Sequence, residues 1–182
     1  MLTVEAIRVV TAFDPAHDGL ADKSRELVLG MLTDTPNPFS RDQFAPGHIT
    51  CTALVFHPAS EAVLLMHHHR LSRWLLPGGH VEPDDTSLAG AASREAREET
   101  GVFLEGEIAP FLAGIDVHGI PARKGEPFHL HHDLIWCFRA ASDQIEITDE
   151  APDVRWAMPA EWDELGLAVS IQRSILRAGA AR

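Results

Sequence analysis

PGGHVEPDDTSLAGAASREAREETGV, residues 77–102, is the stretch on which the reading of this chain turns. It opens with a Gly-rich turn, passes through an acidic loop and becomes a helix that Gly101 stops. At roughly 100° per residue, Leu88, Ala91, Ala92, Glu95, Ala96 and Glu99 share one stripe of that helix, with Glu98 beside it. The stripe is apolar where the helix starts and acidic where it ends. Acidic side chains at a helix C-terminus oppose the macrodipole, and clustered carboxylates repel one another. Arg94 and Arg97 relieve only part of that. A divalent cation would relieve the rest, because hard cations such as Mg²⁺ take carboxylate oxygens and leave positions for water and phosphate.

REAREE alone reads as an ordinary solvated helix end, since such strings are common helix surface. The PGGHVEP turn ahead of it and EETG behind it change that reading. With them the chain resembles the Nudix hydrolase family, whose box is a Gly, five residues, a Glu, seven residues, then R-E-(apolar)-x-E-E-x-G-(apolar). The second half matches at Arg94, Glu95, Ala96, Glu98, Glu99, Gly101 and Val102. The first half departs: with five residues between, Gly79 is followed by Asp85, a shorter carboxylate, and eight residues rather than seven separate it from Arg94. One extra residue therefore sits in the loop-to-helix junction, as in a bacterial subgroup with a longer box, and the role of Asp85 is open.

The resemblance covers roughly residues 48–165. It implies an α/β fold, the Nudix α/β/α sandwich with a mixed curved sheet, here behind an N-terminal helical extension over residues 1–45. It implies metal-dependent hydrolysis, with Mg²⁺ or Mn²⁺, of the diphosphate linkage in a small-molecule nucleoside diphosphate derivative. Glu95 and Glu99 would be the primary metal ligands, Glu98 would assist or polarise water, and Arg94 would orient a neighbouring carboxylate. Gly78 and Gly79 would let the backbone close against the helix where a Cβ would interfere.

Composition limits the alternatives. A chain of 182 residues with 45% hydrophobic and 23% charged content is one globular domain. A net charge of −12 argues against nucleic acid as a partner, which needs a basic surface. Cys51 and Cys137 sit in strand-like runs and read as buried core thiols of a reducing compartment. No apolar run approaches a membrane span and the N-terminus lacks a signal pattern, so a cytoplasmic location is expected.

Along the chain, Val4, Ile7, Val10 and Phe13 recur at helical spacing. Asp22 to Met31 reads as a second helix, with Leu27, Val28 and Met31 on one side. This pair is expected to cover a flank of the core or to contact a second subunit in a homodimer. From His48 the period changes to two, giving a strand over ITCTALVFHP and another over 61–68. His67, His68, His69, Arg70 and Arg73 then form a basic cluster before the Gly-rich turn, which makes Arg70 and Arg73 candidates for a substrate phosphate. Residues 108–118 read as a strand. So does EPFHLHHDLIWCFRA, in which His129, His131 and Asp133 point one way, with Asp116 and His118 as a similar pair upstream. Those three are an accessory metal site or the lining of a substrate pocket. Val154–Trp156 reads as a last short strand and 170–177 as a helix, and Asp149 and Glu150 are loop carboxylates that could complete the site. With no Tyr in the chain, a base would stack on Trp74, Trp136 or Phe128.

Three rivals remain to be weighed. A non-catalytic Nudix module that senses a nucleotide usually lacks box carboxylates, and this chain keeps them. An isopentenyl-diphosphate-isomerase-like enzyme carries a Cys beside the position of this PGGH, and neither Cys here fits. A purely structural protein would leave the clustered carboxylates unexplained.

Overall fold

A computed structural model describes every residue except Arg70, Lys124, Glu150 and Arg182. Two helices lead, α1 (Leu2–Ala12) and α2 (Gly19–Asp34). The strands β1 (Gly47–Phe56), β2 (Val63–His68), β3 (Arg73–Leu75) and β4 (Gly78–His80) follow, then α3 (Leu88–Thr100). The chain continues through β5 (Phe111–Ile120), β6 (His129–Arg139) and β7 (Val154–Ala157) to α4 (Val169–Ala180). The described strands form one mixed sheet in the order β3-β2-β1-β6-β5, with β4 added to β1 and β7 to β2. β1 and β6 run parallel while the other pairings are antiparallel.

Alternation along β1 and β6 gives the sheet two cores. Ile49, Cys51, Ala53, Val55, Leu134 and Trp136 face α3 and the N-terminal pair, packing on Leu88, Ala91, Ala92, Ala96, Val10, Val28 and Met31. Leu54, Phe56, Ile135 and Cys137 face the other way, onto Ile175 and Ala178 of α4. Helices thus cover both faces, giving the α/β/α sandwich. Cys51 and Cys137 are buried thiols. The expected strand at 108 begins three residues later, at Phe111.

The N-terminal stripe differs from its expected form. Val4 and Ile7 are exposed, whereas Ala6, Val10 and Phe13 are buried. A step of three residues falls short of a full helical turn, so Val4, Ile7 and Val10 drift around the helix rather than sharing its inner face. In α2, Leu27 is exposed and the buried line runs Ala21, Ser24, Val28, Met31 and Leu32. The pair is bound to the rest of the chain by ions as well as apolar contact. The Asp18 carboxylate caps α2 by accepting from the Leu20 and Ala21 N–H groups. It also takes Arg173 at 3.0 Å and Arg177 at 3.1 Å from α4. The Glu5 carboxylate accepts from the Leu88 N–H at the start of α3, 3.2 Å away, where a negative charge suits the dipole.

Candidate active site

α3 is set by its ends. The Ser87 hydroxyl accepts from the Gly90 N–H at 3.0 Å, and Gly101 closes the helix in the left-handed region at φ 65°, its N–H reaching Arg97 O. Between these caps Leu88, Ala91, Ala92, Ala96 and Glu99 are buried. The stripe read from the sequence therefore places a carboxylate, Glu99, under the turn that precedes the helix.

Glu99 accepts a hydrogen bond from the Gly78 N–H at 2.9 Å. Gly79 lies against Glu95: a Cβ there would come within 2.6 Å of the Glu95 carboxylate. A Cβ on Gly78 would instead meet Thr52 and the Cys51 carbonyl of β1. The two glycines thus permit close approach in different directions, Gly79 toward the helix and Gly78 toward the sheet, and only Gly79 matches the contact expected of both.

Arg94 is the hub. Its Nε and Nη2 donate to the two oxygens of Asp85 at 3.1 and 3.0 Å, and Nη2 also donates to the His80 carbonyl at 2.9 Å. Nη1 donates to Glu95 and to Glu98, each at 3.0 Å. This settles where the shorter Asp85 points: it forms a two-pronged bond to the guanidinium, the geometry in which Arg and carboxylate fit best. Burial works to raise the Asp85 carboxyl, but Arg94 outweighs it and holds the group below its usual range. Asp85 in turn raises Arg94 further above its ordinary value. For Glu95, burial wins over Arg94 and the carboxyl is raised.

The donor set fits a hard divalent cation. It is all carboxylate oxygen, and the raised Glu95 is a charge that burial disfavours until a cation compensates it. Glu98 is 59% exposed and can turn inward by side-chain rotation. The loop after β6 crosses the C-terminus of α3, with the Thr148 hydroxyl on Glu99 O at 2.9 Å and the Glu146 N–H on Thr100 O at 2.8 Å. Asp149 of that loop is exposed, and Glu150, the other expected carboxylate, lies outside the described residues.

The remaining candidates scatter. Arg70 lies outside the described residues. Arg73 is exposed on β3. Asp133 is buried, its Oδ1 accepting from the Thr50 and Thr52 hydroxyls at 2.9 Å each, so two hydroxyls occupy an oxygen that was a candidate ligand. His118, exposed on β5, sits 2.9 Å from Asp116; partial desolvation opposes both charges, but the bond outweighs it, raising the imidazole and lowering the carboxyl. Trp136 is withdrawn as a stacking partner, because its position in the alternation puts it in the core facing α3. Phe128 is exposed.

Sequence reading missed His48 and His80. Among the described residues, the metal-ligating side chains whose donor atoms gather within 4.8 Å of one another are His48, His80 and His131. The available signal was a histidine at the head of β1 and another straight after the Gly-Gly pair.

The NUDIX domain model matches residues 47–178. The chain belongs to the NUDIX domain family. Solved structures of the same fold include the NUDIX domain of Shewanella oneidensis NrtR complexed with ADP ribose, at 21% identity and TM-score 0.56 over 84% of this chain and 96% of that one. A binary complex of the C. elegans Ap4A hydrolase is 13% identical, with TM-score 0.51 over 73% of this chain and 96% of that one. The E. coli dihydroneopterin triphosphate pyrophosphohydrolase is 17% identical, with TM-score 0.52 over 74% and 96%. No curated protein matches the chain. Among the described residues no helix is long and apolar enough to cross a membrane.

Proposed function

We propose that this Nudix chain is a divalent-metal-dependent pyrophosphohydrolase that cleaves the diphosphate linkage of a nucleoside diphosphate derivative. The observation that carries the reading is the array on α3: Glu95 and Glu98 held on one guanidinium, with Glu99 buried beneath the Gly78–Gly79 turn.

Glu95, Glu98 and Glu99 would hold Mg²⁺ or Mn²⁺. The cation supplies charge neutralisation for the diphosphate oxygens and makes water more acidic. The chain's own residues do the positioning on which phosphoryl transfer depends. Asp85 locks Arg94, and Arg94 fixes the spacing of Glu95 and Glu98. The Gly78 N–H donates to the Glu99 carboxylate and so fixes its position. Glu98, exposed at the rim, takes the proton of the attacking water. The new bond joins water oxygen to phosphorus, and the bridging P–O bond breaks with its electron pair on the departing phosphate.

The test is product release from nucleoside triphosphates, ADP-ribose, dinucleoside polyphosphates and nucleotide sugars, with Mg²⁺ and with Mn²⁺. Metal-dependent cleavage of one class supports the reading and names the substrate. Tight binding of one compound with no cleavage of any would overturn it in favour of a nucleotide sensor.

A further inference from the structure

On the sheet face turned away from α3, the strand registers line up imidazoles. His48 stands opposite His131 across β1 and β6, and His131 opposite His118 across β6 and β5. His80 stands opposite Thr50, two residues along β1 from His48. Side chains two apart on a strand share a face, so the row is a product of register and not of chance loop positions.

We propose that His48, His80 and His131 form a binding site for a borderline divalent transition ion of the Zn²⁺ class, separate from the carboxylates of α3. Their donor atoms already lie within 4.8 Å of one another, and His48 Nε2 is 3.1 Å from His80 Nε2. Zn–N bonds of about 2.0–2.1 Å in tetrahedral geometry space neighbouring nitrogens by about 3.3 Å. Small side-chain movements therefore complete the set. His48 Nδ1 donates to the Gln43 carbonyl at 3.2 Å, the outer contact that fixes a ligating imidazole and aims the lone pair of the other nitrogen inward. His129 backs the group, stacked on His48 with ring centroids 5.1 Å apart and its Nδ1 on Pro127 O at 2.9 Å.

Neutral imidazole is the form that ligates. Donors that are all nitrogen suit Zn²⁺ and its relatives and disfavour Mg²⁺. β4 joins the two sites without merging them. Gly79 faces Glu95 on one side, while His80 turns to the other and its carbonyl accepts from Arg94. An ion on the histidines would tie β1, β4 and β6 together and so hold the Gly78–Gly79 turn in place.

The test uses the full chain, stripped with chelator and titrated with Zn²⁺ and with Co²⁺ as a visible reporter. The expected result is one equivalent bound, with the intense absorption bands of four-coordinate Co²⁺ and no displacement by excess Mg²⁺. At a hundredfold excess over Kd, Tm should rise by about 5–10 °C. His131→Asn and the double variant His48→Asn/His131→Asn should weaken binding about 100-fold or more, while Glu99→Gln keeps it. Should the variants fail to fold, the imidazole NMR signals of the wild-type chain decide, since Zn²⁺ should shift those of His48, His80 and His131. Less than one equivalent bound, binding that persists in the double variant, loss of binding in Glu99→Gln, or shifts confined to other histidines would each overturn the site.

Discussion

Gly79→Ala and Gly78→Ala should separate function from stability. A methyl introduced at Gly79 would stand 2.6–2.9 Å from the Glu95 carboxylate atoms, and one introduced at Gly78 would stand 2.6–2.8 Å from Thr52 and the Cys51 carbonyl. What yields differs. The Glu95 carboxylate is the far end of a side chain and can swing aside, giving up its 3.0 Å bond to Arg94. The β1 backbone beside Gly78 cannot move without disturbing the β1–β4 pairing, and overpacking of that kind costs about 1–3 kcal/mol. At about 2–4 °C per kcal/mol for a chain of this size, Gly78→Ala should lower Tm by about 2–12 °C. Gly79→Ala should lower it by less than about 4 °C, yet reduce kcat about 100-fold, because a carboxylate displaced by even 1 Å no longer serves. Thermal melts and Mg²⁺ titrations of activity on both variants read the two effects. Full activity and unchanged Mg²⁺ dependence in Gly79→Ala would refute the placement of Glu95 in the site.

Further outcomes follow from particular contacts. Asp85→Ala should cost about 1–3 kcal/mol by leaving Arg94 without its two-pronged partner. It should also lower kcat more than it changes KM, read by steady-state kinetics beside a denaturant melt. Asp18→Ala removes the cap of α2 and two ion pairs to α4. A loss of about 1–2 kcal/mol is expected, with hydrogen exchange rising in α2 and in α4. His132 is buried on the face opposite the metal-site row, and burial pushes its imidazole down to about 4. The unfolded chain binds a proton there near pH 6.5 and the folded chain does not, so stability rises with pH across that window. For the metal-free chain this penalty is absent above about pH 6.5 and grows as pH falls toward 4. His132→Leu should flatten that part of the stability–pH curve.

The box helix was legible because its signals are local. The Leu88–Ala96 stripe and Gly101 each act within a turn or two of their own position. The two-faced alternation of β6 was legible for the same reason, with Leu134 and Trp136 going to one core and Ile135 and Cys137 to the other. What escaped depends on register between distant strands. Nothing near His131 in sequence points to His48 or His80; parallel pairing of β1 with β6 and the addition of β4 to β1 bring them together. Asp133 looked like a partner of His131 by alternation alone, but the same register puts Thr50 and Thr52 on its carboxylate. Asp85 looked displaced by the extra box residue, yet Arg94 reaches it, because a long guanidinium arm absorbs a one-residue insertion. The N-terminal helices lacked any chemical motif, and their Glu5 and Asp18 contacts reach across 83 and 155–159 residues of sequence.

Whether the carboxylates of α3 make this chain a metal-dependent pyrophosphohydrolase is decided by comparing wild type with Glu99→Gln. The comparison uses the best substrate of the panel at saturating Mg²⁺, with folding checked by circular dichroism. Gln keeps an oxygen to accept from the Gly78 N–H but carries no charge, so the fold should survive. Turnover should fall by about 100-fold or more, the scale expected when a group stabilising transition-state charge is lost. A folded Glu99→Gln variant with wild-type turnover would show that these carboxylates do not carry the reaction.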